Sequence, residues 1–276
     1  MRISDHVYQI RIDFQVTPEV QRYVYVYLLI GEKCCLIDAG VAGSETAISA
    51  YMKKLGRDIS EIKALFLTHA HPDHMGAAAA VKEMSGCEVY ASEKERRWIE
   101  DIDTQYKERP IPNFYKLVGN SVKVDHSVKE EQNVEVQRGM TLRAMETSGH
   151  SDGSLSWMWK EQKLLFCGDA IPASDDVPIF TDVIKSQESI KKIMNRADIC
   201  TLCPAWDRIY GEGEWREFCQ TQLELLERMR QCGAQIVIQR GQMSQDEMIH
   251  CFMKQMGWEA EKANPLLLRS IIACLM

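Results

Sequence analysis

The chain has 276 residues, of which 45% are hydrophobic and 26% charged, and its formal net charge is −7. This composition is typical of a globular protein and excludes a fibrous, low-complexity or generally disordered chain. The acidic balance argues against nucleic acid or an anionic membrane surface as the main partner, because both select basic faces.

No segment of the sequence predicts a membrane span. The longest apolar run, residues 23–30, is far shorter than the roughly 20 residues needed to cross a bilayer. Near the start, Asp5 and His6 stand where a secretory signal would be apolar. We therefore expect a cytoplasmic protein in which the ten scattered cysteines stay reduced.

The first part of the chain alternates predicted strands with helices. Apolar β-branched segments predict strands, and a capping residue before a periodic segment with a glycine after it predicts a helix. Residues 92–120 are charged and aromatic, so we expect a helix and an irregular excursion rather than core. The predicted strands are 7–13, 23–30, 33–39, 62–68 and 87–91, and the predicted helices are 44–55, capped by Ser44, and 72–86.

The second part repeats this rhythm and then becomes helical. The composition shift near Gly211 predicts a first domain at residues 1–210, with residues 211–276 as a helical extension packed on it. The predicted strands are 122–125, 133–137, 141–146, 154–160, 163–168 and 198–203, and the predicted helices are 187–197, 213–232, 245–256 and 264–274.

The most informative segment is HAHPDH, which contains His69, His71, Asp73 and His74. It lies where a predicted buried strand ends and a helix begins. In extended backbone His69 and His71 point the same way, and Asp73 and His74 then fall in the first helical turn. Imidazole and carboxylate are ligands for Zn²⁺, and also for Fe or Mn. The segment therefore predicts a metal site rather than a polar strand–helix corner.

With its other motifs, the sequence resembles the metallo-β-lactamase superfamily, specifically the glyoxalase-II-like (hydroxyacylglutathione-hydrolase-like) hydrolase branch. The resemblance covers roughly residues 1–210 in order. It rests on DAG from Asp38, the HxHxDH segment, TSGHSDGS around His150, and CGDA around Asp169. It implies an α/β fold, an αββα sandwich with the metal site at one edge, here followed by the C-terminal helical extension.

The resemblance also implies roles for these residues. It assigns a first metal ion to three histidines and a second ion to a mixed set that includes a bridging aspartate. The implied cofactor is Zn²⁺, one or two per chain, with Fe or Mn as alternatives. Asp73 would also act in catalysis by orienting a metal-bound water or moving its proton, and Asp38 would hydrogen-bond to a ligand histidine. The implied ligands are His69, His71 and His150 for the first ion, and Asp73, His74 and Asp169 for the second.

The sequence departs from the family's last motif, because CPAWD places Trp206 where the final histidine of the second site stands. An indole N–H only donates hydrogen bonds and cannot bind a cation. Three consequences stay open: the second ion binds weakly, Asp207 replaces the histidine as an oxygen ligand, or one ion suffices. Trp206 itself either contacts the substrate or packs at the strand end.

The substrate is less well defined. Trp98, Phe114 and Tyr115 are candidate lining residues if residues 92–120 cover the site, although a plain surface excursion is equally compatible. There is no cluster of lysines and arginines that indicates a strongly anionic ligand. In the family, C-terminal helices often shape the substrate pocket or a dimer contact, so a homodimer is an expectation.

The leading functional hypothesis is a metal-dependent hydrolase that acts on a small ester, thioester or lactone through metal-bound hydroxide. Two alternatives stay open: a mononuclear-iron oxidoreductase similar to persulfide dioxygenases, and a non-catalytic metal-binding or sensory member. In each case we expect a small molecule as partner, and neither nucleic acid nor membrane.

Overall fold

A computed structural model of the chain describes residues 1–239, 241, 243–259 and 264–276. It confirms the predicted α/β fold, with two β-sheets and helices on both sides. The six-stranded first sheet has the order β1-β2-β3-β4-β5-β6, antiparallel from β1 to β3 and parallel from β3 to β6. Its strands are β1 (Val7–Thr17), β2 (Val20–Ile30), β3 (Cys34–Ile37), β4 (Ile62–Phe66), β5 (Glu88–Ser92) and β6 (His126–Val128).

The second sheet has five strands in the order β11-β10-β9-β8-β7, and only β10 and β11 are parallel to each other. These strands are β7 (Asn133–Gln137), β8 (Met140–Glu146), β9 (Leu155–Trp159), β10 (Leu164–Gly168) and β11 (Thr201–Pro204). The helices are α1 (Ser44–Lys54), α2 (Pro72–Met75), α3 (Ala78–Ser85), α4 (Glu93–Glu100), α5 (Ile102–Glu108), α6 (Phe114–Leu117), α7 (Val183–Met194), α8 (Glu214–Gln239), α9 (Gln245–Met256) and α10 (Pro265–Leu275).

Three hydrophobic clusters define the layers. The central cluster joins the facing sides of the two sheets, for example through Phe66 of β4 and Trp157 of β9, whose ring centroids are 4.8 Å apart. A second cluster lies between the first sheet and α1, α3, α4 and α6. The third lies between the second sheet and α7 to α10. This arrangement is the αββα sandwich, because each sheet buries one face against the other sheet and one against helices.

The C-terminal helices α8, α9 and α10 belong to that third cluster. Leu226 and Leu267 are fully buried in it together with Leu165 of β10, so the helices share one core with the second sheet. Among the described helices, none is sufficiently long and apolar to cross a membrane.

The excursion at residues 92–120 differs from the prediction. It forms α4, α5 and α6, and Ile99, Phe114 and Leu117 are buried in the first sheet's helix-side cluster. The expectation that this segment lies outside the core was therefore wrong. The segment forms short amphipathic helices, each of which buries only one or two side chains. So few apolar positions do not produce a helical pattern that is recognisable in the sequence.

The helix predicted at 72–86 is divided into α2 and α3 at Gly76. A Cβ atom at Gly76 would lie 2.1 Å from the carbonyl oxygen of Leu117 and 2.7 Å from the backbone nitrogen of Ala42. Only glycine allows these two chain segments to approach so closely. The end of α6 and the segment before α1 therefore pack closely against the end of α2, the helix that carries Asp73 and His74.

Three smaller boundaries also differ. The strand predicted at 122–125 is β6, four residues later. Helix α7 begins at Val183, because the Asp182 carboxylate caps it by accepting from the backbone N–H groups of Ile184 and Lys185. Helix α1 is capped by Gly43 in a left-handed conformation, and Ser44 is its first residue rather than its N-cap.

Candidate metal centre

The candidate site lies at the edge where several strands end. Asp38 directly follows β3, His69 follows β4, Asp169 follows β10 and Trp206 follows β11. The fifth residue, His150, lies in the loop between β8 and β9. Because parallel strands end at the same edge of a sheet, residues far apart in sequence meet here.

Three histidines converge on one point. The Nε2 atoms of His69 and His150 lie 3.0 Å and 2.8 Å from Nδ1 of His71. All three side chains are buried. The structure therefore brings together the residues that the resemblance assigned to the first metal ion.

The other ring nitrogens indicate which tautomers are present. Nδ1 of His150 lies 2.8 Å from the carbonyl oxygen of Ile179, to which it can only donate. Nδ1 of His69 donates to Thr68 Oγ1 at 3.0 Å, because that hydroxyl gives its own proton to Asp38. The Nε2 atoms of His69 and His150 thus carry lone pairs directed at the point of convergence.

Burial lowers the pKa of all three histidines, that of His69 and His71 well below its ordinary value. The lone pairs of His69 Nε2 and His150 Nε2 both face His71 Nδ1 at about hydrogen-bond distance. Because His71 Nδ1 can donate at most one proton, at least one of these nitrogens is left without a hydrogen bond. A divalent cation resolves this conflict, since neutral imidazole nitrogen is a preferred ligand of Zn²⁺. The donor set therefore fits a metal ion.

A second group adjoins the first. His74 Nε2 lies 3.2 Å from Asp169 Oδ1 and 3.5 Å from Asp73 Oδ2. Within the described part of the chain, neither His74 Nε2 nor Asp169 Oδ1 has a hydrogen-bond partner. Although burial opposes it, the charges of Asp169, Asp73 and Asp38 raise the pKa of His74 well above its ordinary value. The sequence-predicted members of the second site are thus also adjacent.

Trp206 modifies this second group. Its indole N–H donates to Asp169 Oδ2 at 3.0 Å. The hydroxyl of Tyr23 donates to the Trp206 carbonyl at 2.6 Å, and the Arg22 guanidinium lies 4.9 Å from the indole ring. The indole is therefore fixed in place, occupies one oxygen of Asp169 and supplies no ligand.

Asp207, the predicted alternative oxygen ligand, is hydrogen-bonded to backbone groups. Its Oδ2 accepts from the Ser174 backbone N–H at 2.9 Å, and its Oδ1 accepts from that of Arg208 at 2.7 Å. Like Asp73, it belongs to neither group of candidate metal ligands in the described residues. Both of its oxygens already accept a hydrogen bond from the backbone, and an Asp207 ligand stays a prediction.

Asp38 supports the site from behind, and its predicted hydrogen bond to a histidine is confirmed. Nδ1 of His74 donates to Asp38 Oδ2 at 2.8 Å, and the backbone N–H of Thr68 donates to Oδ1 at 2.8 Å. The buried carboxylate thus fixes the ring orientation of His74 and leaves its Nε2 directed at the centre.

Glu95 is a structural residue that sequence reasoning missed. This buried carboxylate accepts from the backbone N–H of Ala70 at 2.9 Å, the hydroxyl of Ser151 at 2.7 Å and the N–H of Gly153 at 2.8 Å. It therefore ties the loop of His69 and His71 to the loop of His150. No motif marks it, since a single glutamate in a charged helix is usually exposed.

The centre opens into a cavity of about 350 Å³. Arg109, at the end of α5, also faces this cavity although only 8% of the residue is exposed. Burial lowers the pKa of Arg109 to about 10, so its guanidinium stays charged at neutral pH. The centre and its neighbours contribute five residues to the cavity wall: His71, Asp73, His150, Asp169 and Trp206.

Of the predicted lining residues, only Trp206 lies on this wall. Phe114 is buried in the core, and Tyr115 is 53% exposed with its hydroxyl donating to Asp103. Trp98 donates its indole N–H to Glu108 at 2.7 Å. The predictions for Phe114 and Tyr115 were wrong, because helix α6 turns one ring into the core and the other to solvent. The C-terminal extension does reach the cavity, through residues 264–266 at the start of α10.

Curated relatives are similar over part of the chain. "Probable metallo-hydrolase YqgX" of Bacillus subtilis is 29% identical over 148 residues, which are 52% of this chain and 64% of the relative. "Hydroxyacylglutathione hydrolase GloC" of Haemophilus influenzae is 29% identical over 111 residues, 40% of this chain and 50% of the relative. The chain thus spans between half and two thirds of the length of these relatives.

Among solved structures, the metallo-beta-lactamase family protein TTHA1429 from Thermus thermophilus superposes with a TM-score of 0.76. The superposition covers 99% of this chain and 93% of that protein at 18% identity, and so it shows a shared fold. The sequence profile of the Metallo-beta-lactamase superfamily matches residues 18–198, well over half of the chain. This match shows that the chain belongs to the metallo-β-lactamase superfamily.

Proposed function

We propose that the protein is a metal-dependent hydrolase of a small ester, thioester or lactone, and that it works with one ion held by His69, His71 and His150. This proposal rests on three neutral imidazoles that converge at the wall of a cavity. The Nε2 atoms of His69 and His150 both lie within 3.0 Å of His71 Nδ1. The names of the relatives, a probable metallo-hydrolase and a hydroxyacylglutathione hydrolase, support the reaction class.

The ligand set determines what the centre can do. A Zn²⁺ ion on three neutral imidazoles lowers the pKa of a bound water to about 7 and polarises a carbonyl oxygen. His69 and His150 keep their lone pairs turned inward, because their Nδ1 atoms donate to Thr68 and to the Ile179 carbonyl. The chain thus holds the ligands in one orientation before any substrate arrives.

Asp73 is the proposed catalytic base. Its side chain is 20% exposed and lines the cavity beside His71, so it can accept a proton from a water molecule there. The neighbouring Asp169 is less suited to this role, because one of its oxygens accepts from the Trp206 indole. The two carboxylates therefore have different roles: Asp73 accepts the proton, and Asp169 is held in position by the Trp206 indole.

Trp206 supports the single-ion part of the proposal. The second position keeps Asp73, His74 and Asp169 but lacks a second imidazole ligand, and the indole N–H competes for Asp169 Oδ2. We infer that this position binds metal far more weakly than the three-histidine position. The indole also forms part of the cavity wall, where it would contact the acyl portion of the substrate.

The experiment is to assay the zinc-loaded protein against a panel of nitrophenyl esters, thioesters and lactones, and then to compare Asp73→Asn. We expect kcat on any substrate found to fall by about 10²–10⁴-fold in the variant, with zinc content unchanged, because a positioned base contributes about that much. Asp207→Asn is the matched control, since Asp207 is nearby but bonded to backbone, and its kcat should stay within about two-fold.

Two results would contradict the proposal. Unchanged kcat in Asp73→Asn would remove Asp73 from the chemistry. A zinc-loaded protein that turns over nothing in the panel would favour a binding or sensory role.

A further inference from the structure

Arg109 is buried without a hydrogen bond or an ion pair from its side chain to any described residue. Its residue is more than nine-tenths buried, yet none of the described residues accepts a hydrogen bond from its guanidinium or forms an ion pair with it. A desolvated charge that has no partner is costly, so proteins rarely keep one that serves only stability. The other arginine on the cavity wall, Arg22, is paired with Asp176 and so shows the usual arrangement.

The position of Arg109 is fixed by the helix that carries it. Gln105, four residues earlier on the same face of α5, is fully buried and donates to the carbonyl oxygen of Ala70, between His69 and His71. The backbone N–H of Arg109 then donates to the Gln105 carbonyl at 2.8 Å. These contacts attach the end of α5 to the histidine loop and place the guanidinium on the same cavity wall as His71 and Asp73.

Most of the remaining cavity is apolar. Side chains from both sheets' edges, from the segment after α5 and from α10 contribute to it, and the lining includes Val16, Val20, Ile111, Ile171, Val177 and Leu266. A ligand that fills this space must therefore present hydrocarbon to most of the wall and hydrogen-bond acceptors to Arg109.

The charges around Arg109 restrict the anion. One guanidinium offers a planar fork that matches a carboxylate with two parallel hydrogen bonds. Asp73 and Asp169 lie on the same wall and would repel further negative charge. A singly charged carboxylate is thus compensated, whereas a doubly charged phosphate would keep one charge unpaired beside two carboxylates.

We propose that Arg109 binds a carboxylate of the substrate, which is an apolar acyl compound with a free carboxylate close to the bond that is cleaved. The cleavage of the substrate rests on the proposed hydrolase function, whereas the binding of the carboxylate by Arg109 does not. Arg109 is then the residue that selects carboxylated substrates over neutral ones of the same shape.

The test is direct binding, measured by calorimetry on zinc-loaded protein with octanoate and with its neutral isostere octanamide. We expect octanoate to bind Arg109→Gln at least about thirty-fold more weakly than wild type, the lower end of what losing one member of a buried charge pair costs. Octanamide affinity should change less than about three-fold. Arg96→Gln, which removes an arginine that pairs with Glu100 away from this cavity wall, is the control, and we expect it to shift octanoate affinity less than about three-fold.

Two further readouts separate recognition from a structural role. Because Arg109 forms no hydrogen bond or ion pair with any described residue, Arg109→Gln should melt no lower than wild type and keep its zinc. Arg109→Lys, which keeps a charge but loses the fork, should fall between wild type and Arg109→Gln in octanoate affinity.

Octanoate affinity that is unchanged in Arg109→Gln would mean that zinc or the apolar wall holds the acid, and would overturn the inference. A lower melting temperature with lost zinc would do the same, because Arg109 would then be structural. If octanoate binding depends on Arg109 while no ester is hydrolysed by wild type, the proposed function fails and this binding site stands.

Discussion

The indole N–H of Trp206 donates a hydrogen bond to Asp169 Oδ2 at 3.0 Å. The sequence resemblance predicts a metal-binding histidine at this position. By that prediction, a hydrogen-bond donor stands in place of a metal ligand beside Asp169, the carboxylate expected to bridge two ions. The indole is held in this position, because Tyr23 and Arg22 pack against its ring.

The first prediction is that Trp206→His restores a second metal position. The new imidazole would join Asp73, His74 and Asp169, and it would release Asp169 Oδ2 from the indole. We expect the zinc content measured by elemental analysis to rise from one to two per chain.

Trp206→Phe is the control for this prediction. It removes the indole N–H without adding a ligand, so its zinc content should stay at one. Two zinc ions in Trp206→Phe would show that the hydrogen bond alone blocks the second position, and one zinc in Trp206→His would show that the position is not built to bind metal.

The second prediction concerns Glu95, which joins the two histidine loops. In Glu95→Gln, the amide NH₂ would face a backbone N–H that now donates to the carboxylate, and two donors cannot bond to each other. The loops of His71 and His150 would then lose the side chain that joins them. We expect zinc affinity to fall about 10–100-fold, as is typical when a group that supports metal ligands is lost.

Competition with a chromophoric chelator measures this change. Glu93→Gln, on the same helix but with its side chain 68% exposed, is the control and should leave zinc affinity unaltered. Equal zinc affinity in Glu95→Gln and wild type would mean that the loops are positioned without Glu95.

The third prediction is a pH dependence of stability away from the centre. Hydrogen bonds from Arg196, at 2.8 and 2.9 Å, and from Arg143, at 2.5 Å, hold the pKa of Asp198 below its ordinary value. A lowered pKa in the folded state stabilises the protein above the unfolded pKa of about 3.9, and this contribution is lost as the pH falls below it.

Asp198→Asn should therefore melt below wild type at pH 7, and the difference should shrink as the pH falls below about 4. Since 43% of the Asp198 side chain is exposed, solvent screening limits the effect to about 1 kcal/mol, or roughly 2–4 °C. Asp13→Asn, which removes one contact to Arg11 at an exposed site, should change the melting temperature less. A difference that does not vary with pH would rule out the charge of Asp198 as its cause.

The candidate site was predictable where its chemistry is local in sequence. His69, His71, Asp73 and His74 lie within six residues at a strand–helix junction, and this spacing alone predicts a metal site. His150 and Asp169 gain their meaning from their order after that segment. Their convergence depends on the strand order of the second sheet, which the sequence does not state.

Arg109 and Glu95 were not predictable, because burial made them significant and no motif surrounds them. Each is a charged residue in a segment rich in charge, where exposure is the usual outcome. Phe114 and Tyr115 illustrate the same limit, since neighbouring residues on a short helix point in different directions and their hydrophobicity does not say which faces inward. The predicted strand at 122–125 is a related case: Val122 and Val124 are buried, but the chain pairs with β5 only from His126.

The most direct test of the central claim is the metal content of wild type and His71→Gln, each purified without added metal or chelator. One zinc per chain in wild type and none in His71→Gln is the result that a single-ion, three-histidine centre predicts. Two zinc ions in wild type would contradict the weak second position. One zinc retained in His71→Gln would contradict the three-histidine centre, and iron in place of zinc would contradict the hydrolase.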